Sequence, residues 1–158
     1  MKVFISYSVD DGEFVGKVAQ EITPLAQVSY WDQSKEPGEE AWQTIFQWID
    51  DCDAALVVIT DKVVKRGMSV GQEIGRAKAK GKFIIPLVEE GIPASALGCL
   101  SGVTYETIPK VNPSSALERI KTLIEHQKVK VDEAEGISAV ALVGLAALAL
   151  VVFTAKEK

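Results

Sequence analysis

Two cysteines, Cys52 and Cys99, and one histidine, His126, are the only thiols and imidazole in the 158 residues. They support neither a disulfide framework nor a metal-ligand set, and both thiols are expected as small buried or half-buried apolar side chains in a reducing compartment. His126 falls near the end of a predicted helix, where a solvated cation suits the dipole. Positive charge is also in deficit. Against 22 Asp and Glu stand 17 Lys and Arg, a net −5 with a pI near 5.0. A surface that tracks phosphates needs clustered cations to release counterions, so nucleic acid is excluded as an expected partner. The chain shows no internal repeat and no N-terminal run with the composition of an export signal.

Long apolar runs are absent until residue 136, and then one appears. From Ile137 to Phe153 there are seventeen residues without a charge, interrupted only by Ser138 and Gly144. As a helix they extend about 25 Å, enough for a thin bilayer. A helix apolar on every face needs apolar surroundings on every side, which a domain of this size does not supply. The run is therefore read as a transmembrane anchor. Lys128 and Lys130 precede it and Lys156 and Lys158 follow it, so the charge rule does not orient it. The expected localisation is a single-pass, tail-anchored membrane protein with its soluble domain facing the cytoplasm. The acidic Val131-Asp132-Glu133-Ala134-Glu135 before the run reads as a polar linker.

Continuous apolar runs of strand length at 3–5, 54–60 and 83–88 indicate strands covered on both faces, as in parallel sheets. Weaker strands fit 28–31 and 103–105. Between them lie helical periods. Phe14, Val15, Val18 and Ile22 follow the first strand, opened by an Asp10/Glu13 capping box. Trp42, Ile45, Phe46 and Ile49 form one stripe of a helix over 39–50. A third helix is predicted from Ser69, boxed with Gln72, to about Lys80, where Gly81 ends it. A weak helix or loop follows around 92–97. The last soluble helix begins near Pro113 and carries Leu117, Ile120, Leu123 and Ile124. This alternation predicts an α/β fold: a doubly wound, flavodoxin-like, five-stranded parallel sheet flanked by helices, with one C-terminal transmembrane helix. Ligands are then expected beyond the carboxyl ends of the strands.

Five segments, in order, carry a family resemblance. Val3-Phe4-Ile5-Ser6-Tyr7-Ser8 resembles the first box of the Toll/interleukin-1 receptor (TIR) domain. The stretch from Asp32 to Gly38 with Trp42 resembles the loop after its second strand. Ala55-Leu56-Val57-Val58-Ile59-Thr60 resembles its central strand, and Val70-Gly71-Gln72-Glu73-Ile74-Gly75-Arg76-Ala77 followed by Phe83-Ile84-Ile85-Pro86-Leu87-Val88 resembles its glutamate helix and next strand. The phrasing is similar to prokaryotic members. The implied organisation is a TIR domain over 1–127, a linker over 128–136, a membrane helix over 137–155 and a tail over 156–158.

The resemblance implies an NAD+ glycohydrolase or a docking module. In the first, NAD+ is substrate, no further cofactor is required, and Glu73 is the catalytic glutamate. A fixed carboxylate stabilises the electron-poor ribose while nicotinamide leaves as a neutral molecule. The residues implied to surround the dinucleotide are Ser6, Tyr7, Ser8, Asp10, Glu36, Trp42 and Ser69. Two positions depart from the pattern: Ser69 stands where an aromatic residue is usual, and Ser8 where a basic one is. Trp42, Trp31 or Tyr7 is left to supply the stacking surface, although aromatics at such positions more often belong to a core. In the second reading the loop Gln33-Ser34-Lys35-Glu36-Pro37-Gly38-Glu39-Glu40 docks onto self or other TIR domains, as a non-catalytic adaptor. The expected partners are thus NAD+, other TIR domains and a lipid bilayer. Asp10 and Asp11 after the first strand also raise a metal-binding receiver domain, but Asp61 and Lys110 fit its remaining positions only loosely.

Overall fold

In the computed structural model, residues 1–31, 41–66, 68–109 and 114–155 are described, with 64–66, 68 and 135–155 as backbone alone. Five strands, β1 (Lys2–Ser6), β2 (Gln27–Tyr30), β3 (Ala54–Ile59), β4 (Phe83–Glu89) and β5 (Glu106–Ile108), form one sheet in the order β2-β1-β3-β4-β5. Every pairing is parallel. The chain starts at β1, winds outward to one edge, then returns past it to the other. The expected doubly wound sheet is therefore present, with its switch point between β1 and β3.

Alternation along the strands decides what each face meets. Val3 and Ile5 of β1 and Leu56 and Val58 of β3 pack with Val15, Val18 and Ile22 of helix α1 (Gly12–Ile22) and Ile120 and Ile124 of helix α5 (Ser114–Ala155). Phe4 and Ala55 face the other way, onto Ile45 and Ile49 of helix α2 (Ala41–Asp51) and Ala77 of helix α4 (Met68–Ala79). Val57 and Ile59 on that same face pack with Val70 and Ile74 of α4. Every residue of β3 is buried, which is why its sequence reads as an unbroken apolar run. Pro86 sits inside β4 opposite Val57 of β3, one residue before β5 begins to pair at Leu87.

Several local expectations are corrected. The fifth strand lies at Glu106–Ile108 instead of 103–105. Gly102 turns the chain at φ 80°, the Val103 amide donates to the Leu100 carbonyl, and Val103, half-buried, packs against the core cluster of Val57, Ile59, Val70 and Ile74. Arg119 of α5 then holds the strand, bonding the Glu106 carboxylate at 2.6 Å and the Thr107 carbonyl at 3.2 Å. The Asp10/Glu13 capping box does not form. A 3-10 turn, Val9–Asp11, leads into α1 without any side-chain cap, and Glu13 pairs with Lys17 at 2.9 Å. Ser69 lies within the first turn of α4, not before it. A short helix α3 (Asp61–Arg66) precedes α4, unforeseen because Val63-Val64 between charged residues has neither strand nor helix period. Ala94–Leu100 is a 3-10 segment kinked at Gly98. Cys52 is buried as expected, but Cys99 is exposed.

Helix α5 runs without a break through 128–136, so the polar linker is helical. The expected anchor at 137–153 and the docking loop at 33–40, with Glu36, lie outside the residues whose side chains are described. Among the residues whose side chains are described, which leave out the run at 137–153, no helix is long and apolar enough to cross a membrane.

Candidate active site

β1 ends at the switch point, and its alternation sends Ser6 to the same face as Phe4, toward α4. There Ser6 Oγ donates to Glu73 Oε2 at 2.5 Å. Both side chains are buried, Ser6 at 2% exposure and Glu73 at 8%. Beyond them opens a cavity of about 230 Å³ lined by Tyr7, Ser8 and Val9 after β1, Trp31 after β2, Ala41, Trp42 and Ile45 of α2, Val63 of α3, and Ser69, Val70 and Glu73 of α4, above Phe4 and Ile5. It lies at the carboxyl ends of the strands, where an open α/β sheet places its ligands.

Among the described lining residues Glu73 is the one charged group. Burial pushes its carboxyl up from 4.5 to about 7, and the Ser6 hydrogen bond pulls it back. The site therefore holds a carboxylate poised near neutrality with one oxygen fixed, which suits a charge that must meet a developing cation.

Aromatic rings supply part of the wall. Trp42 is 41% exposed and packs on Phe46 at 5.4 Å between ring centroids. Of the two places the sequence left open for it, core and cavity wall, it takes the cavity wall. The first turn of α2 lies at the carboxyl end of the sheet, where Ile45 and Ile49 further along do the packing on the strands and leave the ring facing the cavity. Tyr7 donates its hydroxyl to the Trp31 carbonyl and meets Tyr30 edge-on at 6.2 Å. Trp31 leans on Trp48 at 6.3 Å. The cavity thus offers π surface although residue 69 is a serine.

Of the site residues expected from sequence, the fold brings Tyr7, Ser8, Trp42, Ser69 and Glu73 to one cavity, with Ser6 directly behind. Asp10 is not among the lining residues; its carbonyl accepts from Lys62 Nζ at 2.7 Å. Glu36 is outside the described residues. A neighbouring network escaped sequence reading. Asp11, 5% exposed, accepts from Thr60 Oγ1 at 2.6 Å and pairs with Lys62 Nζ at 2.9 Å, pinning the turn after Ser8 and Val9 to the end of β3. The acid pair after β1 was visible in the sequence, but its partners sit 49 and more residues away, at a strand end that no local pattern marks.

Comparison with known proteins agrees with this geometry. A fold comparison finds the TIR domains of the activated Roq1 resistosome that directly recognises the pathogen effector XopQ, at TM-score 0.63 and 13% identity over 78% of this chain and 98% of that one. The TIR domain of the Toll-related receptor TRR-2 from Hydra magnipapillata matches at TM-score 0.61 and 15% identity, over 80% and 97%. The CMP N-glycosidase BcmB of Clostridium botulinum matches at TM-score 0.57 and 18% identity, over 78% and 99%. A search of curated proteins by sequence finds no match. The family model for the TIR domain matches residues 3–124, from the first buried residue of β1 to the last core residue of α5. With that match over most of its length, and the sheet order and switch-point cavity in place, the chain belongs to the TIR domain family.

Proposed function

We propose that this TIR domain cleaves NAD+ at the bond between nicotinamide and ribose, with Glu73 as the catalytic carboxylate. The observation that carries this reading is a single buried carboxylate, held by Ser6 and facing a cavity walled by Trp42, Trp31 and Tyr7. In the reaction the C1′–N bond breaks and its electron pair passes to the pyridine nitrogen, so nicotinamide leaves neutral and needs no acid. The ribose left behind carries positive charge, which the Glu73 carboxylate stabilises in a water-poor site. Water then adds to C1′ and gives up a proton, yielding ADP-ribose; attack by a group of the adenosine half would give a cyclic isomer. One carboxylate is sufficient because the leaving group is already activated by its own charge. A glycosidase acting on another N-nucleotide, CMP, shares this fold.

The phrase Gln72-Glu73-Ile74-Gly75-Arg76-Ala77 supports a TIR domain of prokaryotic type. The apolar run at 137–153 supports a bilayer anchor with the domain on the cytoplasmic side. Confinement to a membrane raises the effective concentration of weakly self-associating domains, so clustering through the loop at 33–40 is the expected trigger.

The test is nicotinamide release from NAD+ by the full chain in liposomes, from sparse to dense protein. Release that rises with density and is lost in Glu73→Ala supports the proposal. No release at any density would overturn it and favour the adaptor.

A further inference from the structure

Helix α4 does more than present Glu73. One turn further on, Arg76, which does not line the cavity, reaches across to the C-terminal half of α2. Its Nε and Nη2 bond the two carboxylate oxygens of Asp50 at 2.8 and 2.7 Å, and its guanidinium carbon lies 4.5 Å from the centroid of the Phe46 ring. Phe46 in turn packs on Trp42 at 5.4 Å. The chain of contacts Asp50–Arg76–Phe46–Trp42 therefore begins on the helix that carries the carboxylate and ends on the ring that lines the site. Asp50 anchors it further, since Lys80 in the turn after α4 pairs with its carboxylate at 3.1 Å and Lys82 bonds its carbonyl at 2.6 Å.

The two roles of Arg76 call for a planar fork. A bidentate ion pair and a stack on an aromatic face are both geometries that guanidinium supplies and ammonium does not. Arg76 and Asp50 are each about one-third exposed, so the pair is a weak source of stability. What the arrangement fixes is position. Trp42 is 41% exposed and meets the Phe46 ring with 45° between their planes.

We propose that Arg76 is a positioning residue for substrate binding: through Asp50 and Phe46 it sets the Trp42 ring at the distance from Glu73 at which a bound nicotinamide ribose is sandwiched. This inference rests on the catalytic reading above. It assigns Arg76 no contact with the reacting atoms. Its effect therefore falls on binding, and it vanishes when the ring it positions is gone.

The experiment uses the full chain in liposomes, following nicotinamide release from NAD+ and, in parallel, NAD+ binding by quenching of tryptophan fluorescence. Arg76→Lys keeps the charge and loses the stack and the fork. Its KM and Kd are expected to rise about tenfold with kcat within about twofold of wild type. Phe46→Leu, which leaves the ion pair intact, is expected to raise KM likewise and serves if Arg76→Lys does not fold. On a Trp42→Ala background, Arg76→Lys is expected to add less than about a further twofold. An unchanged KM in Arg76→Lys, or losses in the double variant that multiply as independent effects do, would overturn the proposal. A wild type that binds NAD+ without turning it over would refute the catalytic reading alone, with the Kd ratios still deciding the role of Arg76. A wild type that neither binds nor cleaves would refute both.

Discussion

Ser6 on β1 and Glu73 on α4 meet through a buried hydrogen bond of 2.5 Å, 67 residues apart in sequence. The bond joins the strand at the sheet's switch point to the helix that packs over it. It also opposes the burial that pushes the Glu73 carboxyl up to about 7. Its removal is expected to act through protonation. In Ser6→Ala the carboxylate loses a charge-assisted donor, and kcat/KM at pH 7 should fall about tenfold. Because a hydrogen bond to the charged form favours that form, the ascending limb of the pH profile should move to higher pH. A pH–rate series on both proteins checks this, and a parallel drop at every pH would contradict it.

In the proposed reaction the carboxylate is the working form of Glu73. The logarithm of kcat/KM should therefore climb as pH rises toward about 7 and level off above it. A profile that is flat from pH 5 to 8 would mean that Glu73 does not ionise in the step being measured.

The same shift has a consequence for stability with the opposite sense. The folded state holds the Glu73 proton more tightly than the unfolded chain, whose carboxyl titrates near 4.5. Stability is therefore lost as pH rises from about 4.5 to about 7, by roughly 3 kcal/mol at full extent. Glu73→Gln cannot ionise and escapes that loss. Thermal melts should show the variant more stable than wild type at pH 8 and nearly equal to it at pH 5. A variant less stable at pH 8 would contradict the burial argument.

Thr60 Oγ1 gives Asp11 Oδ2 its bond at 2.6 Å, and Asp11 is buried. In Thr60→Val that oxygen is left without its donor inside the protein, at a cost of about 1–3 kcal/mol. Urea unfolding should show a lower midpoint with unchanged slope. Since the network pins the turn after Ser8 and Val9, KM for NAD+ should also rise.

The run at 137–153 predicts behaviour in membranes. The full chain should stay in the membrane fraction through an alkaline carbonate wash, and a chain ending at residue 134 should leave it. Extraction of the full chain by carbonate would remove the anchor from the account.

The sheet was legible because β1, β3 and β4 are buried on both faces, and continuous apolar runs say so directly. β5 was misplaced by three residues because Val103, apolar enough for a strand, packs against the core from a turn. Glu73 was legible through family phrasing, whereas Ser6 was visible as part of a box but not as its partner, since only the β1 alternation and the α4 crossover bring them together. For Trp42 the sequence left core and cavity wall both open, for a positional reason. Helical period assigns a face, but it does not tell that the first turn of α2 overhangs the strand ends, where the same face borders a cavity. Asp11 comes from the turn after β1 and Thr60 and Lys62 from the end of β3 and the start of α3, and no local sequence signal joins them.

The most direct test of the central claim is nicotinamide release per chain from NAD+, measured for wild type and Glu73→Gln at one high density in liposomes. The account predicts release by wild type and a loss of at least about a thousandfold in the variant, with its thermal stability retained. Equal release by the two proteins, or none by a folded, clustered wild type, would contradict it.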